Sequence, residues 1–217
     1  MVLKLYGMIV STNTTRVMTV LHEKEIPYEF IVVDLFKGEH KTPEYLEHNP
    51  FGKVPYIDDD GFILYESRAI CTYLATKYAD QGTSLLPPPS DLQATAKYEQ
   101  AVSMEGYHFD PYVSKAVAEA VFKPFYGQTP DQEYINNLLS TLEGSLKAYE
   151  VILGKQKYLA GDQLTLADLA HLSFGNFLPR AGSDLWDRQG PNVTRWWKEL
   201  NSRPSWQRCV EEGALKV

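Results

Sequence analysis

The pattern of apolar and polar positions has two periods in the N-terminal part of the chain. Short apolar runs at 2–6 and 28–34 predict buried strands. Between them, apolar residues recur at helical spacing over 15–24, and Pro27 follows this segment. A strand, a helix and a second strand in so short a stretch predict a right-handed βαβ unit.

Further along, the pattern predicts a second helix, a hairpin and a third helix. Thr42 is followed by a proline and an acidic residue, which is typical of a helix start. The runs 55–58 and 62–65 predict two antiparallel strands joined by 59–61. Apolar residues recur at helical spacing after Glu66. The resulting order, βαβαββα, is that of a thioredoxin-like domain.

The composition changes at 82–90, where three consecutive prolines predict a stiff surface linker. After the linker no run has the period of a strand. Long helical patterns at 92–104, at 131–152 and from Thr165 onward predict an all-helical domain, so the predicted fold is α+β followed by all-α. The predicted boundaries are 1–82 for the thioredoxin-like domain, 83–90 for the linker and 91–217 for the helical domain.

The helix that starts near Thr165 carries a capping signature. Thr165 and Asp168 have the spacing of a capping box, and Leu164 stands where a hydrophobic staple residue is expected. Because such residues satisfy the free N–H groups at a helix end, we assign them to folding and not to catalysis.

Charge and cysteine content narrow the classes of partner. The formal net charge is −7, whereas nucleic acids and anionic membranes require a basic face, so we expect neither as a partner. Cys71 and Cys209 form no motif of a disulfide framework, a CxxC redox pair or a zinc site, and we expect no metal. Such cysteine use fits a reducing compartment. With no pattern of a signal peptide or a membrane span, we expect a cytoplasmic protein.

Two neighbouring motifs predict a binding site for a small anionic peptide. Asn49-Pro-Phe-Gly-Lys-Val-Pro55 leads into a strand, and a cis Val54–Pro55 bond there would leave the Val54 backbone free to pair with an extended peptide. Tyr65-Glu-Ser-Arg-Ala-Ile70 opens a helix whose N-terminal N–H groups and positive dipole end favour a carboxylate.

These motifs resemble the glutathione-binding half of the cytosolic glutathione transferases. The run Val33-Asp-Leu-Phe-Lys-Gly-Glu-His-Lys41 is similar to the phi class, known chiefly from plants. The resemblance covers nearly the whole chain and includes several motifs in the family's order. It implies a detoxifying enzyme that conjugates glutathione, as a co-substrate and with no cofactor, to small hydrophobic electrophiles. Peroxidase activity on organic hydroperoxides is a further expectation from the same resemblance.

Ser11, between the first strand and the first helix, is the candidate catalytic residue. From its position alone it would be an N-cap. The resemblance implies instead that its hydroxyl donates a hydrogen bond to the sulfur of glutathione. A free thiol has a pKa of about 8.5, and lowering it by about two pKa units requires roughly 2.7 kcal/mol of stabilisation of the thiolate. A hydroxyl and a helix N-terminus together can supply this.

The resemblance also implies which residues hold glutathione. Ser67 and the helix N–H groups bind the γ-glutamyl carboxylate, Glu66 binds its ammonium group, and Val54 pairs with the cysteinyl backbone. Helix capping is the alternative role of Ser67. The role of Arg16 stays open between guiding glutathione and pairing with an acid such as Glu66. His40, Lys41 and Lys53 are implied for the glycyl carboxylate, and the other implied contacts are Thr12 and Pro55.

The pocket for the electrophile is expected between the two domains. The resemblance implies that Ile9, Phe36 and Tyr112 line it, although each of these residue types is found more often in a core. An aromatic-rich stretch over 107–126 fits flat hydrophobic molecules. The sequence does not name the electrophile.

Two other functions compete with conjugation. A non-catalytic, ligandin-type binding protein of the same fold would not need Ser11, His40, Glu66 and Ser67 together. A thiol–disulfide reductase would need a reactive cysteine where Ser11 stands, and Cys71, inside the third helix, is expected to be buried.

The resemblance also implies an assembly, because members of the family dimerise. Phe51 lies in a turn with polar flanks, where a buried ring would have little to pack on. We expect a C2 homodimer in which Phe51 lodges between helices of the partner.

Overall fold

The computed structural model describes residues 2–216. Its contacts group the chain into two compact units. The first comprises the residues up to Ser84 together with the segment from Pro204 onward, and the second comprises Leu85–Arg203.

A four-stranded sheet forms the centre of the first unit. β1 (Leu3–Gly7) lies between β2 (Tyr28–Val32) and β3 (Tyr56–Asp59), and β4 (Phe62–Tyr65) pairs with β3 at one edge. β1 and β2 are parallel, whereas β3 is antiparallel to both β1 and β4. The parallel pair confirms the strand–helix–strand arrangement that the apolar pattern predicts.

Three helices complete the predicted order of the first unit. They are α1 (Thr12–Glu23), α2 (Pro43–His48) and α3 (Ser67–Lys77), with a short 3-10 turn at Glu39–Lys41 before α2. The α1 helix starts earlier than the predicted 15–24 because Ser11 caps it and its first turn consists of polar residues that add nothing to the apolar pattern. Thr42 caps α2 as expected, with its Oγ1 accepting a hydrogen bond from the Tyr45 N–H at 3.3 Å.

The hairpin turn is one residue shorter than predicted. Asp59 pairs with Phe62, so the loop consists of Asp60 and Gly61 alone. Both have positive φ, 57° and 87°, as a two-residue type I′ turn requires. The side chain of Asp58 accepts a hydrogen bond from the Gly61 N–H at 2.8 Å and holds this turn.

The core of the first unit lies on the α1 and α3 side of its sheet. Leu5 of β1, Leu21 of α1 and Leu74 of α3 are all fully buried. A second apolar cluster includes Tyr45 and Tyr56. It is extended by Tyr6, whose ring stacks on that of Tyr56 with the ring centroids 4.3 Å apart.

Helices build the second unit. They are α4 (Leu92–Met104), α5 (Asp110–Val117), α6 (Gln132–Leu153), α7 (Leu166–Gly175) and α8 (Pro191–Asn201). Two π-helical segments, Glu105–Phe109 and Ala118–Phe122, flank α5, and 3-10 turns lie at Lys123–Tyr126, Pro179–Ala181 and Leu185–Arg188. The predicted helices at 92–104 and 131–152 agree with α4 and, within one residue at each end, with α6.

The capping box at the start of α7 is confirmed and has a wider role than predicted. Asp168 accepts hydrogen bonds from the Thr165 N–H and Oγ1, both at 3.0 Å. Its carboxylate also accepts from the Leu159 N–H and from the Trp196 indole N–H, again at 3.0 Å. Burial raises the pKa of Asp168, and these bonds offset part of that effect. The residue therefore joins the start of α7 to α8.

The last helix, α9 (Pro204–Glu212), belongs to the first unit. Ser205 Oγ donates a hydrogen bond to the Glu23 carboxylate at 2.5 Å, and the buried Cys209 lies 3.7 Å from the hydroxyl of Thr19. Because α9 packs on α1, the structure groups the described residues from Pro204 onward with the first unit, whereas the predicted boundaries placed them in the helical domain 91–217. The predicted linker is also divided, with 83–84 in the first unit and 85–90 in the second.

None of the helices within residues 2–216 is long and apolar enough to cross a membrane. Over the same residues, no group of three or more His, Cys, Asp or Glu side chains is placed to hold a metal ion.

Candidate active site

The motifs singled out in the sequence meet at one edge of the sheet of the first unit. Tyr6, near the end of β1, pairs with Tyr56 at the start of β3. Tyr56 also pairs with Tyr65, the last residue of β4. The loop before α1, the Val54–Pro55 bond and the start of α3 therefore leave the sheet on the same side. This convergence is what makes these separate motifs a single candidate site.

Ser11 stands at the N-terminus of α1, as predicted. Its N–H donates to the Met8 carbonyl at 2.9 Å, and its Oγ accepts from the Thr14 N–H at 3.4 Å, which is long for a hydrogen bond. Accepting this bond uses a lone pair, so the hydroxyl proton stays available for another acceptor. The first turn of α1 contains no acidic residue, so no carboxylate there competes with a ligand anion for the positive end of the helix dipole.

Gly7 brings the end of β1 close to α1. A Cβ atom at this position would lie 2.6 Å from the Thr14 side chain, a distance that real Cβ contacts do not reach. The residue type thus permits the close approach that places Ser11 at the end of the strand.

The Val54–Pro55 peptide bond is cis, which confirms the prediction. The buried Asn49 organises the preceding loop, because its Nδ2 donates to the Lys53 carbonyl at 2.7 Å and its Oδ1 accepts from the Phe51 N–H at 3.1 Å. The Tyr45 hydroxyl donates to the same Lys53 carbonyl at 2.7 Å.

The backbone of Val54 is open to an added chain. Among the residues that the structure describes, neither its N–H nor its C=O has a hydrogen-bond partner. Its side chain is buried in the cluster of Tyr45 and Tyr56. A fixed residue with a free donor and a free acceptor can pair with an extended peptide as a short β-ladder.

At the start of α3, Glu66 has an unusual backbone conformation. Its φ is 70° and its ψ is 106°, outside the regions that residues with a Cβ normally occupy. Such a conformation costs on the order of 1–3 kcal/mol and occurs mainly at functional sites. The Glu66 side chain is exposed and makes no capping hydrogen bond, so its carboxylate is accessible to a ligand.

A hydrogen bond joins Arg16 to Ser67. The sequence had left the role of Arg16 open. The buried Arg16 guanidinium donates from Nη1 to Ser67 Oγ at 2.8 Å and to Asn13 Oδ1 at 2.6 Å. A guanidinium beside the first turn of α3 adds a full positive charge to the helix dipole at that end. The start of α3 is therefore an electropositive site suited to a carboxylate.

His40 and Lys41 follow β2 on the same edge of the sheet. Lys41 Nζ donates to the carbonyls of Gly52 at 2.7 Å and Phe51 at 3.3 Å, so the ammonium braces the loop before the cis bond. An ammonium has three N–H donors, and the third remains for a ligand. Burial and the charge of Lys41 lower the pKa of His40, so its imidazole is neutral near neutral pH.

The remaining predicted contacts differ in accessibility. Lys53 has an exposed side chain, Thr12 is buried in the first turn of α1, and Pro55 is buried at the cis bond. Gly52, with φ of 55°, has no room for a Cβ, which would lie 2.8 Å from Lys41 Nζ. The positive φ and the lack of room for a Cβ both require glycine at this position of the loop.

Comparison with known proteins identifies the architecture. The N-terminal domain model of the glutathione S-transferases matches residues 1–76, and the C-terminal domain model matches residues 105–204. Glutathione S-transferase hmp2 of Hypomyces subiculosus is 43% identical over 213 residues, which is 98% of this chain and 99% of that protein. The chain belongs to the glutathione S-transferase family.

Solved structures agree with this assignment and refine it. Glutathione transferase F7 from Populus trichocarpa matches with a TM-score of 0.91 and 39% identity, over 97% of this chain and 98% of that one. Glutathione S-transferase I from maize, in complex with an atrazine glutathione conjugate, matches with a TM-score of 0.88 and 34% identity over 100% of both chains. The F-class relatives confirm the phi class, and the protein is a glutathione transferase of that class.

The residues predicted for the electrophile pocket of this transferase lie in both units. Ile9 is half-buried in the turn after β1, Phe36 is 66% exposed in the loop after β2, and Tyr112 is half-buried on α5 of the second unit. Their common role in one pocket stays a prediction.

The two cysteines of the transferase are buried and free. Burial raises the pKa of Cys71 to about 12 and that of Cys209 to about 12. Neither therefore forms a thiolate near neutral pH, and neither suits the chemistry of a thiol–disulfide reductase.

Sequence reasoning missed the residues that support the site. Asn13 lies one helical turn before Arg16, a spacing that can indicate a side-chain pair. Asn49 precedes a proline and a glycine, which is a turn signal, but nothing local shows that its amide reaches Lys53.

Proposed function

We propose that this transferase conjugates the thiolate of glutathione to small hydrophobic electrophiles, with Ser11 as the residue that stabilises the thiolate. The convergence of Ser11, the Val54 backbone and the start of α3 at one edge of the sheet carries the proposal. Along that edge, the Ser11 hydroxyl would meet the cysteinyl sulfur, the Val54 backbone would pair with the cysteinyl backbone, and the start of α3 would bind the γ-glutamyl carboxylate. This order matches that of an extended tripeptide.

The γ-glutamyl end of glutathione is assigned to the start of α3. Ser67 and the free N–H groups of α3 bind its carboxylate, supported by the charge of Arg16 at 2.8 Å from Ser67 Oγ. The exposed Glu66 carboxylate binds the ammonium group. The cysteinyl backbone pairs with Val54 beside the cis Pro55.

The glycyl end is assigned to the segment after β2 and the loop beside it. The glycyl carboxylate is assigned to three groups, which are His40, the third N–H of Lys41 and the exposed side chain of Lys53. Thr12 completes the contacts next to Ser11. Lys41 has two functions here, because the same ammonium that meets the ligand also holds the carbonyl of Gly52.

The chemical step needs a thiolate, and Ser11 is placed to stabilise one. Lowering the thiol pKa from about 8.5 by about two pKa units takes roughly 2.7 kcal/mol of preferential stabilisation. The Ser11 hydroxyl contributes a charge-assisted hydrogen bond, and the N-terminus of α1 contributes its dipole. Ser11 acts as a hydrogen-bond donor and not as a nucleophile.

The electrophile is proposed to be small and apolar, because the residues assigned to it are Ile9, Phe36 and Tyr112. The maize relative that carries an atrazine glutathione conjugate supports this class of substrate. The same thiolate can attack the terminal oxygen of an organic hydroperoxide, which breaks the O–O bond, releases the alcohol and leaves glutathione sulfenic acid. A second glutathione thiol then reacts with the sulfenic acid to give glutathione disulfide and water. We propose this peroxidase reaction as a secondary activity.

The cellular setting is proposed from the same residues. Two buried, free cysteines fit a reducing compartment, so we place the transferase in the cytoplasm. We also propose that it works as a homodimer, with Phe51 as the residue that lodges in the partner.

Steady-state assays test this function against a ligandin-type binder. Purified protein is assayed with glutathione and 1-chloro-2,4-dinitrobenzene, and separately with glutathione and cumene hydroperoxide. Turnover that depends on glutathione and is reduced in Ser11→Ala at neutral pH supports the enzyme. Tight binding of both compounds with no turnover in either assay would establish the non-catalytic binder instead.

A further inference from the structure

The first unit contains a cavity away from the motifs that form the candidate active site. It lies between the C-terminal half of α1, the start of β2 and the helix α9, and its volume is about 700 Å³. Ile9, Pro27 and Phe30, which are exposed or half-buried, supply its accessible apolar surface. This size falls within the range of roughly 300–1,000 Å³ that is typical of pockets for small organic ligands.

His22 fixes the walls of this cavity relative to one another. Its Nδ1 lies 3.2 Å from the Ser205 carbonyl of α9, and its Nε2 lies 3.1 Å from the Tyr28 hydroxyl of β2. A carbonyl only accepts, so Nδ1 carries the hydrogen and Nε2 accepts from Tyr28. One imidazole on α1 therefore joins α9 to β2, so specific hydrogen bonds hold these walls of the cavity together.

The charge of His22 follows from its surroundings. Its side chain is only 4% exposed, and burial lowers its pKa despite the nearby Glu212 carboxylate. The imidazole is therefore neutral near neutral pH and does not cancel the negative charge of Glu212, whose Oε2 lies 3.7 Å from Nε2.

The polar groups that line the cavity carry one more negative than positive charge. Arg208 Nε pairs with Glu212 Oε1 at 2.9 Å, so these two charges offset each other. Glu25 also lines the cavity, and within residues 2–216 its exposed carboxylate has no hydrogen-bond or ion-pair partner. The aromatic rings of Tyr28 and Phe30 add surfaces that attract cations.

We propose that this cavity is a second ligand site, which binds an amphipathic organic cation. The apolar body of the ligand lies against Ile9, Pro27 and Phe30, and its protonated amine lies at the mouth beside Glu25. Neither Ser11 nor the start of α3 lines the cavity, so the proposal does not depend on the conjugation reaction.

The experiment must separate this cavity from the active site, because Ile9 lines the cavity and is also assigned to the electrophile pocket. Binding is therefore measured by calorimetry with the active site saturated by S-hexylglutathione, an alkyl thioether of glutathione. Three probes share one ring system and differ in charge. They are naphthalen-2-ylmethylammonium, the neutral alcohol 2-naphthylmethanol and the anion 2-naphthoate.

The ammonium probe is expected to bind about two- to fivefold more tightly than the alcohol, the ratio for one ion pair near a solvated surface. The carboxylate is expected to bind more weakly than both. The proposal is overturned if no probe binds saturably while S-hexylglutathione is present, or if the ammonium and the carboxylate bind equally.

Variants at the mouth test the role of Glu25 directly. Glu25→Gln should remove the preference for the ammonium probe and leave the alcohol affinity unchanged, and Glu25→Lys should favour the carboxylate. Glu29→Gln is the matched control, because Glu29 is equally an exposed glutamate but does not line the cavity. An equal loss of ammonium binding in Glu25→Gln and Glu29→Gln would show that overall charge, and not this site, governs binding.

Discussion

At the scale of single residues, the hydroxyl of Ser11 can serve both as a helix cap and as a donor to sulfur. The cap uses a lone pair of Oγ at 3.4 Å from the Thr14 N–H, and the proton remains for a ligand. Capping and catalysis are therefore not alternatives at this position. The length of the capping bond indicates that its contribution to stability lies at the low end of the usual range, about 0.5 kcal/mol.

The first prediction concerns Ser11→Ala. Because the hydroxyl would contact only the sulfur, we expect nearly unchanged glutathione affinity. Conjugation at about pH 7 should fall by about 3- to 25-fold, which is the loss of thiolate when the thiol pKa rises by one to two pKa units from about 6.5. The ultraviolet absorbance of the bound thiolate should titrate at higher pH than in the wild type, so the variant should regain rate as the pH rises.

Ser11→Thr serves as the matched control, because it keeps a hydroxyl and should retain much of the activity. A Ser11→Ala variant that conjugates at the wild-type rate with an unshifted thiol titration would reject the assignment. Thr12 would then be the nearest candidate for the donor.

The second prediction concerns Ser67→Ala. The change removes one donor to the γ-glutamyl carboxylate and the acceptor of the Arg16 hydrogen bond. A loss of about 1–3 kcal/mol corresponds to a KM for glutathione raised about 5- to 150-fold, with kcat changed much less. Thr76→Ala is the control on the same helix, since its hydroxyl bonds only the Thr72 carbonyl. Unchanged glutathione affinity in Ser67→Ala would place the γ-glutamyl end elsewhere.

At the scale of elements, α3 is fixed at both ends, to α1 at its start and to β3 near its last turn. Its first turn is bound through Ser67 and Arg16 to α1. Near its last turn, Lys77 and Tyr73 both donate to the Asp59 carboxylate at the end of β3, the tyrosine at 2.6 Å. A helix fixed in this way keeps the electropositive N-terminus at a constant position relative to the sheet edge.

The third prediction concerns Asp59→Asn. Burial alone would raise the pKa of Asp59, but the bonds from Lys77 and Tyr73 outweigh it and hold the pKa below its usual value. The stabilisation is therefore present above the unfolded-state pKa of about 3.9 and is lost as the pH falls through the lower folded-state pKa. Because Lys77 is partly exposed, we expect Asp59→Asn to cost about 1 kcal/mol near neutral pH.

Urea denaturation of both proteins from neutral pH to about pH 2.5 measures this effect, since the difference between them should shrink across the acid limb. Asp60→Asn is the control, because Asp60 is exposed and its positive φ of 57° also suits asparagine. Equal urea midpoints for the two variants near neutral pH would contradict the role of Asp59.

At the scale of the whole molecule, the chain returns to the unit in which it began. α9 packs on α1 through Ser205 and Cys209, so the first unit contains both the start and the end of the described chain. Phe51 is 61% exposed on this unit, and its ring makes an edge-to-face contact with the Tyr65 ring, with the centroids 6.0 Å apart. An exposed ring on a braced loop is the feature on which the proposed homodimer rests.

The fourth prediction concerns assembly. Light scattering at micromolar concentration should give twice the mass of the chain, and Phe51→Ala should shift the equilibrium toward the monomer, because a central aromatic anchor often contributes about 2 kcal/mol or more. Phe36→Ala is the control, since Phe36 is exposed to a similar extent, 66%, in the same unit. A monomeric mass for the wild-type protein would exclude the homodimer.

The sequence by itself determined the order of the elements, several of their ends and the motifs that meet at the candidate site. Thr42 and Thr165 marked helix starts, and Val54–Pro55 marked the cis bond, because caps and proline bonds act on neighbouring backbone groups. A two-residue period or a helical period needs only a few residues to be visible. The motifs Asn49–Pro55 and Tyr65–Ile70, which resemble those of glutathione transferases, are equally local because each is a short continuous segment.

Only the tertiary structure decided how these local pieces support one another. Arg16 meets Ser67 across 51 positions, Ser205 meets Glu23 across 182, and Lys41 holds the carbonyl of Gly52 from a separate segment. The grouping of α9 with the first unit and the cavity around His22 depend on the same kind of contact. Hydrogen bonds between residues so far apart in sequence leave no periodic trace in it, because each depends on the packing of whole elements.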